Sequence, residues 1–146
     1  MELLSGNEAI AQGAWEAGCR IGVAYPGTPS TETLETFAKM DGVYAEWCVN
    51  EKVAVEVGVG ASAAGARVLS TMKHVGVNVA ADPLFNAAYT GVGGGYVVLS
   101  AGGPGMYSSQ NEQDSHYYAA AAHIPMMDPA DSAEALAFTR HAFDLS

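Results

Sequence analysis

Residues 43–78 read VYAEWCVNEKVAVEVGVGASAAGARVLSTMKHVGVN, and the fold class can be inferred from this segment. The runs VYAEWC at 43–48 and RVLSTM at 67–72 are short and largely apolar, which is typical of buried strands. Between them, residues 50–65 are rich in Ala, Val and Gly over a length that favours a helix. A strand, a helix and a second strand in this order predict a parallel βαβ unit.

The same alternation continues in both directions along the chain. Helices are predicted over 5–18, 28–40, 75–89 (bent or interrupted at Pro83), about 113–122, and from 129 or 131 to about 143. Strands are predicted over 21–26, 96–101 and, as a short fifth strand, 124–128. This order predicts an α/β fold, a three-layer α/β/α arrangement with a doubly wound, mostly parallel sheet.

The length of 146 residues fits a single domain, 1–146. The chain stops just after a helix, so we expect it to be one domain of a longer multidomain subunit. Charged residues make up only 15% of the chain and hydrophobic residues 49%. So few charges suggest that another domain or subunit covers part of the surface.

Charge and composition argue against several classes of partner. The net charge of −10 should repel nucleic acid and anionic membranes. The N-terminus has no basic region, and no run reaches the roughly 20 apolar residues of a membrane helix. Cys19 and Cys48 form no CxxC pair, so we expect two buried, reduced thiols in a cytoplasmic protein.

Ligands of open α/β sheets bind at the carboxyl ends of the strands, so the residues after each strand are the candidates. After the first strand, Thr28 stands where an N-cap is expected and Pro29 at the first helical position. Free N–H groups and a hydroxyl at a helix start could bind an anion. The alternative is a plain capped helix.

After the second strand, Glu51 lies in the first turn of an otherwise apolar helix. It could be a carboxylate that only stabilises the positive helix end. It could also be a partly buried carboxyl group that exchanges a proton with a ligand. The small residues later in the same helix fit intramolecular packing and a subunit interface equally well.

The third and fourth strands are also followed by polar residues. Lys73 and His74 stand at a strand-to-helix junction, where Lys73 could be a surface residue and His74 structural. The segment after residue 101 carries Ser109, Gln110 and Asn111 and is a candidate recognition loop, or else a solvated loop. Neither GxxxxGK[ST] nor GxSxG occurs, and GVGGG at 91–95 precedes a strand rather than a helix.

Three blocks carry a resemblance to a known family: SGNEAIAQGAWEAGCRIGVAYPGTPSTE at 5–32, EWCVNEKVAVEVGVGASAAGARVLSTMKHVGVNVAADPL at 46–84 and PGMYSSQNEQD at 104–114. In order and spacing they resemble the amino-terminal domain of the large subunit of indolepyruvate ferredoxin oxidoreductases. The similarity runs from about residue 6 to 135.

The resemblance implies the pyrimidine-binding domain of a thiamine diphosphate enzyme. Glu51 matches the glutamate that hydrogen-bonds N1′ of the cofactor's aminopyrimidine, with Pro26 and Gly27 also at the cofactor. Such enzymes decarboxylate a 2-oxoacid oxidatively and pass electrons through iron–sulfur clusters to ferredoxin, while coenzyme A takes the acyl group. Thr28 matches the position that binds the substrate carboxylate. The remaining expected substrate-binding residues are His74, Ser109, Gln110 and Asn111.

The chain also departs from the family pattern. Gly102 and Gly103 stand where acidic residues are expected, Tyr107 replaces a His, and Ser115-His116 replaces an Asn-Arg pair. No GDG…N pattern and no cysteine cluster occurs in the sequence. The resemblance therefore places Mg²⁺ and the 4Fe–4S clusters in parts outside this chain. It implies a diphosphate-binding domain, a second smaller subunit, ferredoxin and coenzyme A as partners.

Two other functions fit the same residues. A non-oxidative thiamine diphosphate-dependent decarboxylase, of the sulfopyruvate or phosphonopyruvate type, uses a similar domain. A non-catalytic α/β interaction module needs only the fold.

Overall fold

The computed structural model describes residues 3–106 and 109–146, which form a four-stranded parallel sheet between two layers of helices. The strands are β1 Ile21–Ala24, β2 Tyr44–Trp47, β3 Val68–Lys73 and β4 Tyr96–Ala101. The helices are α1 Gly6–Glu16, α2 Thr31–Phe37, α3 Glu51–Ala63, α4 His74–Val79, α5 Ala81–Thr90, α6 Ser115–Ala122 and α7 Ser132–Leu145, with a 3-10 turn at Pro104–Met106.

Each face of the sheet has its own apolar core. Leu69 of β3 packs with Leu34, Phe37 and Phe143 beneath α1, α2 and α7. Met72 of the same strand packs on the other face, under α3, α4 and α5, with the residues Val55, Val77, Ala80 and Leu84. Alternate side chains of one strand thus enter opposite cores. The predicted three-layer, doubly wound α/β fold is confirmed.

The strand order β2-β1-β3-β4 creates a switch point between β1 and β3. From β1 the chain crosses to β2 on one side and then returns to β3 and β4 on the other. Ala24 and Thr71 are paired near the carboxyl ends of β1 and β3. Because the connections diverge there, a crevice is expected at this end of the sheet.

Helix starts agree with the sequence where a capping side chain is present. Ser5 and Glu8 form a reciprocal capping box at α1, and the Asn50 side chain accepts a hydrogen bond from Val53 N at α3. The predicted helix over 75–89 is interrupted, as expected of Pro83, and forms two helices that meet at Ala80. Pro83 lies in the first turn of α5, where a missing N–H is tolerated.

The predicted start of α2 at Thr28 is wrong. The helix begins at Thr31, and the Thr28–Pro29 peptide before it is cis. Ser30 N and Ser30 Oγ both donate to Gly27 O, at 2.8 and 2.7 Å, while Gly27 N donates to Thr31 Oγ1 at 3.0 Å. These bonds form a compact turn over 27–31, so the helix starts after it and Thr28 is not its N-cap.

The predicted fifth strand over 124–128 is also wrong. In the described residues this segment pairs with no strand, and β4 pairs only with β3. An apolar cavity of about 550 Å³ lies between the open edge of β4 and residues 124–129. Pro125 lacks the N–H that a ladder requires, and the cavity separates the segment from β4. At the start of this edge, Ser146 Oγ accepts from Tyr96 N at 2.8 Å.

Both cysteines, Cys19 and Cys48, are buried and unpaired, as predicted. Burial raises the pKa of the Cys19 thiol to about 11. Within the described ranges, none of the helices has the length and apolar character needed to cross a membrane.

Candidate functional site

The residues predicted from the strand ends lie at one edge of the sheet, because all four strands are parallel. The turn over 25–30 follows β1, Glu51 begins the helix after β2, His74 begins the helix after β3, and the segment 102–114 follows β4. We call residues 102–106 and 109–114 of this last segment the β4–α6 loop; residues 107 and 108, with the departure at Tyr107, lie outside the described ranges.

Glu51 is the most buried carboxylate at this end of the sheet. It is the first residue of α3, and only 8% of its surface is exposed. The Asn50 cap fixes the turn that carries it. No hydrogen bond or ion pair joins the Glu51 carboxylate to another residue of 3–106 or 109–146. An enclosed carboxyl group without a protein partner is expensive unless a ligand supplies a donor.

Gly76 makes room for this carboxylate. A Cβ atom at Gly76 would lie 2.7 Å from Glu51 Cγ and 2.8 Å from Glu51 Oε1. Any side chain there would therefore displace Glu51, so α3 and α4 meet through this contact. Sequence reasoning missed Gly76, although a glycine inside a helical segment is a known signal of close packing.

His74 connects this region to the β4–α6 loop. Its imidazole is 1% exposed, and Nε2 lies 2.9 Å from the carbonyl oxygen of Asn111. A Cβ at Gly103 would lie 3.3 Å from His74 Cε1 and 3.9 Å from Ser109 Oγ. The structure thus places His74 against Asn111 and Gly103 of the loop, with Ser109 close to Gly103, and the role of these residues in substrate binding stays a prediction.

The turn after β1 reaches the same end of the sheet through Lys73. A Cβ at Gly27 would lie 2.8 Å from Lys73 Cδ, so the lysine stem passes directly over the glycine. Pro26, Thr28 and Gln110 are exposed. Among the described residues, none of these three contacts Glu51 through a hydrogen bond.

One buried hydroxyl at this end was not anticipated. Thr71 is fully buried in β3, and its Oγ1 has no hydrogen-bond partner among the described residues. Among the described residues, Nδ1 of His74 is the other buried side-chain atom without a hydrogen-bond partner. A sequence signal for Thr71 was absent, because Thr is an ordinary strand residue.

Two glycines of α3 differ in their surroundings. A Cβ at Gly58 would lie 2.6 Å from the Tyr96 ring, so this glycine is required by intramolecular packing. Gly60, by contrast, is exposed with open space beside it. Intramolecular packing therefore explains the first glycine and not the second.

Apolar side chains remain exposed around the strand ends. Tyr25 after β1, Val49 after β2 and Met106 after β4 are 39%, 79% and 55% exposed. The cavity beside β4 is a separate feature, since neither Glu51 nor His74 lines it. We take the strand ends as the candidate site, because the buried carboxylate and the unpaired buried polar atoms lie there.

Comparison with known proteins identifies the family of the chain. Residues 12–146 match the family described as pyruvate flavodoxin/ferredoxin oxidoreductase, thiamine diphosphate-binding. The chain belongs to this family. Its members carry the thiamine diphosphate-binding domain, so the resemblance noted in the sequence and the cofactor it implied are confirmed at family level.

Curated relatives of this chain include indolepyruvate oxidoreductase subunits and, at lower identity, 2-oxoglutarate synthase subunits. The subunit IorA of Archaeoglobus fulgidus is 54% identical over 98% of this chain, and that of Thermococcus kodakarensis is 49% identical over 99%. The chain spans only 24% and 23% of their lengths. It therefore corresponds to about a quarter of the length of these relatives, whose polypeptides continue beyond the matched region.

A solved structure shares the fold. The 2-oxoglutarate:ferredoxin oxidoreductase from Magnetococcus marinus, determined with 2-oxoglutarate, coenzyme A and succinyl-CoA bound, superposes with a TM-score of 0.78. The match covers 97% of this chain and 26% of that one at 22% sequence identity. At this identity the likeness establishes the architecture.

The residues present fit the pyrimidine end of thiamine diphosphate. Glu51 is enclosed, lacks a hydrogen-bond partner among the described residues, and lies beside a glycine that leaves its carboxylate unobstructed. A carboxyl group on a residue that is only 8% exposed can hold a ring nitrogen with less competition from water than an exposed carboxyl group can.

Proposed function

We propose that this chain is the pyrimidine-binding half-site of a 2-oxoacid:ferredoxin oxidoreductase that decarboxylates an arylpyruvate such as indolepyruvate. The products are the acyl-CoA and CO₂, and the electron pair released passes through iron–sulfur clusters to ferredoxin. Family membership and the named relatives support this reaction class. The relatives' greater length supports a chain that is one domain, 1–146, of a longer multidomain subunit.

The observation that carries the proposal is the enclosed, unpartnered carboxylate of Glu51. Thiamine diphosphate supplies the electron sink for the decarboxylation. Glu51 hydrogen-bonds N1′ of the aminopyrimidine and so controls the proton on that ring. Asn50 and Gly76 hold the carboxylate in place, because one caps its helix and the other leaves the space that it fills.

The remaining predicted residues follow the neighbouring strands at the same end of the sheet. Pro26 and Gly27 belong to the turn that faces the cofactor, and Thr28 presents an exposed hydroxyl to the oxoacid carboxylate. Ser109, Gln110 and Asn111 complete the oxoacid side from the β4–α6 loop. Gly103 lets that loop pack against His74, which gives a physical reason for one departure from an acidic residue, whereas Gly102 has open space beside it and its departure has no such reason.

The assembly requires parts that this chain does not carry. The exposed apolar residues around the strand ends suit a docking surface for the diphosphate-binding domain, which we expect to hold Mg²⁺. The 4Fe–4S clusters and the coenzyme A site belong to other domains or to a second smaller subunit. We expect a cytoplasmic assembly, in keeping with two buried free thiols.

The test is anaerobic indolepyruvate oxidation by the natural full-length assembly, with coenzyme A and a viologen dye as electron acceptor. Glu51→Gln keeps the size of the side chain and removes its ability to share a proton. We expect activity to fall by about 10²- to 10⁴-fold, the usual contribution of a positioned acid or base.

Glu56→Gln is the matched control, because Glu56 lies on the same helix but is exposed. We expect it to retain activity. If Glu51→Gln also retains activity, Glu51 has no role in the reaction and the chain is an interaction module. If the wild type releases CO₂ without reducing the dye, the enzyme is a non-oxidative decarboxylase.

A further inference from the structure

His74 is the side chain that joins the β3 end of the sheet to the β4–α6 loop. It is the first residue of α4 and is 1% exposed. Its Nε2 lies 2.9 Å from Asn111 O, which belongs to a residue 37 positions further along the chain. A carbonyl oxygen only accepts, so Nε2 carries the proton and donates.

The surroundings of the other ring nitrogen, Nδ1, agree with this assignment of the hydrogen to Nε2. Nδ1 is buried and has no partner within 3–106 and 109–146. Nε2 therefore carries the hydrogen that is donated to the loop, and Nδ1 meets no donor or acceptor among the described residues. In this form Nε2 of His74 donates to the loop, and Nδ1 is an acceptor that no described residue uses.

The loop itself is tied mostly by local bonds. Gly105 N donates to Glu112 Oε2 at 3.4 Å, and Ser109 N donates to Met106 O at 3.3 Å. At its far end Asp114 caps α6. Within the described residues, these bonds shape the loop and attach it to α6, whereas the bond from His74 joins it to the β3 end of the sheet.

The imidazole also contacts the beginning of the loop. A Cβ at Gly103 would lie 3.3 Å from His74 Cε1 and 3.7 Å from Nδ1. The loop backbone can approach the ring this closely because position 103 is glycine. One ring thus contacts the first limb of the loop at Gly103 and the second limb at Asn111.

We propose that His74 is a positioning residue, which fixes the β4–α6 loop over the strand ends and thereby sets the affinity for the 2-oxoacid. This inference rests on the proposed function for the identity of the ligand. It changes the role expected of His74 from a substrate contact to a support for Ser109, Gln110 and Asn111. The imidazole acts through the loop and does not touch the reacting atoms.

Two amide substitutions test the two ring nitrogens separately. In His74→Gln the amide nitrogen can reach the place of Nε2 and donate to Asn111 O, whereas in His74→Asn the amide nitrogen lies near the place of Nδ1 and cannot. In the natural full-length assembly we expect His74→Asn to raise KM for indolepyruvate by about 5- to 10-fold, the net contribution of one partly buried hydrogen bond. His74→Gln should stay within about threefold of the wild type, and kcat should change little in either variant.

Hydrogen exchange, measured without cofactor or substrate, reports on the loop directly. We expect amides of residues 103–106 and 109–114 to exchange faster in His74→Asn than in the wild type and His74→Gln, while α3 is unchanged. The proposal is overturned if His74→Gln is as impaired as His74→Asn, or if loop exchange does not respond. Because this measurement uses no ligand, it stands even if Glu51→Gln refutes the thiamine mechanism.

Discussion

Two helix starts lie at the same end of the sheet and behave in opposite ways. At the start of α3, Asn50 caps the helix as its sequence predicts and Glu51 is enclosed, with 8% of its surface exposed. At the start of α2, a similar sequence signal fails, and Thr28 lies exposed before the helix begins.

The difference lies in what packs above each start. Glu51 is covered by α4, where Gly76 approaches the carboxylate within contact distance. At the turn before α2, Asn7 of α1 donates to Pro29 O at 2.8 Å, and above Gly27 lies only the flexible stem of Lys73 among the described residues. A rigid helix therefore holds one functional group in place, while the other remains at a surface that a ligand or another domain can reach.

Enlarging the two glycines is the strongest test of this contrast. Gly76→Ala would put a Cβ 2.7 Å from Glu51 Cγ, and two packed helices cannot yield easily. We expect about 1–3 kcal/mol of lost stability and at least a tenfold loss of thiamine diphosphate affinity, because Glu51 is displaced. Thermal unfolding and titration of the natural assembly with the cofactor measure the two effects.

Gly27→Ala is the matched control on the other side. Its Cβ would meet Lys73 Cδ at 2.8 Å, but a lysine stem can move aside. We expect a loss of stability well under that of Gly76→Ala. Equal losses would show that the turn before α2 is as rigidly packed as the start of α3.

Removing the exposed hydroxyl of Thr28 tests the turn before α2. In Thr28→Val the side chain keeps its shape and loses the donor proposed for the oxoacid carboxylate. We expect KM for indolepyruvate to rise by about tenfold, in line with a hydrogen bond to a charged group, with unchanged stability. A KM equal to that of the wild type would exclude Thr28 from the substrate site.

Removing the Asn50 cap is a milder test of the start of α3. In Asn50→Ala the hydrogen bond from Val53 N, 3.0 Å long, is lost. We expect about 1 kcal/mol of destabilisation by chemical denaturation, whereas Thr28→Ala should cost almost nothing, since Thr28 caps no helix. A comparable cost at Thr28 would contradict the start of α2 at Thr31.

Much of the fold could be predicted because its signals are local. The capping residues Ser5 and Asn50 act on N–H groups three residues away, and apolar periodicity places the strands and helices. The failures occur where a longer-range arrangement decides. Residues 124–128 have the composition of a strand, but a strand needs a neighbour, and the cavity beside β4 keeps this segment from its edge.

The candidate site was predicted in the same uneven way. Glu51, Thr28 and His74 could be found because parallel strands carry their ligands at the carboxyl ends. Gly76 and Thr71 could not, since their importance comes from what they contact or fail to contact.

By itself, the sequence determined the alternation of strands and helices, the cap at α3 and a glutamate in its first turn, because these depend on residues within one or two helical turns. Only the tertiary structure decided the order of the strands, the burial of Glu51 against Gly76 and the bond between His74 and Asn111. Those contacts join residues far apart in the chain, and packing of the whole sheet between its two helical layers brings them together.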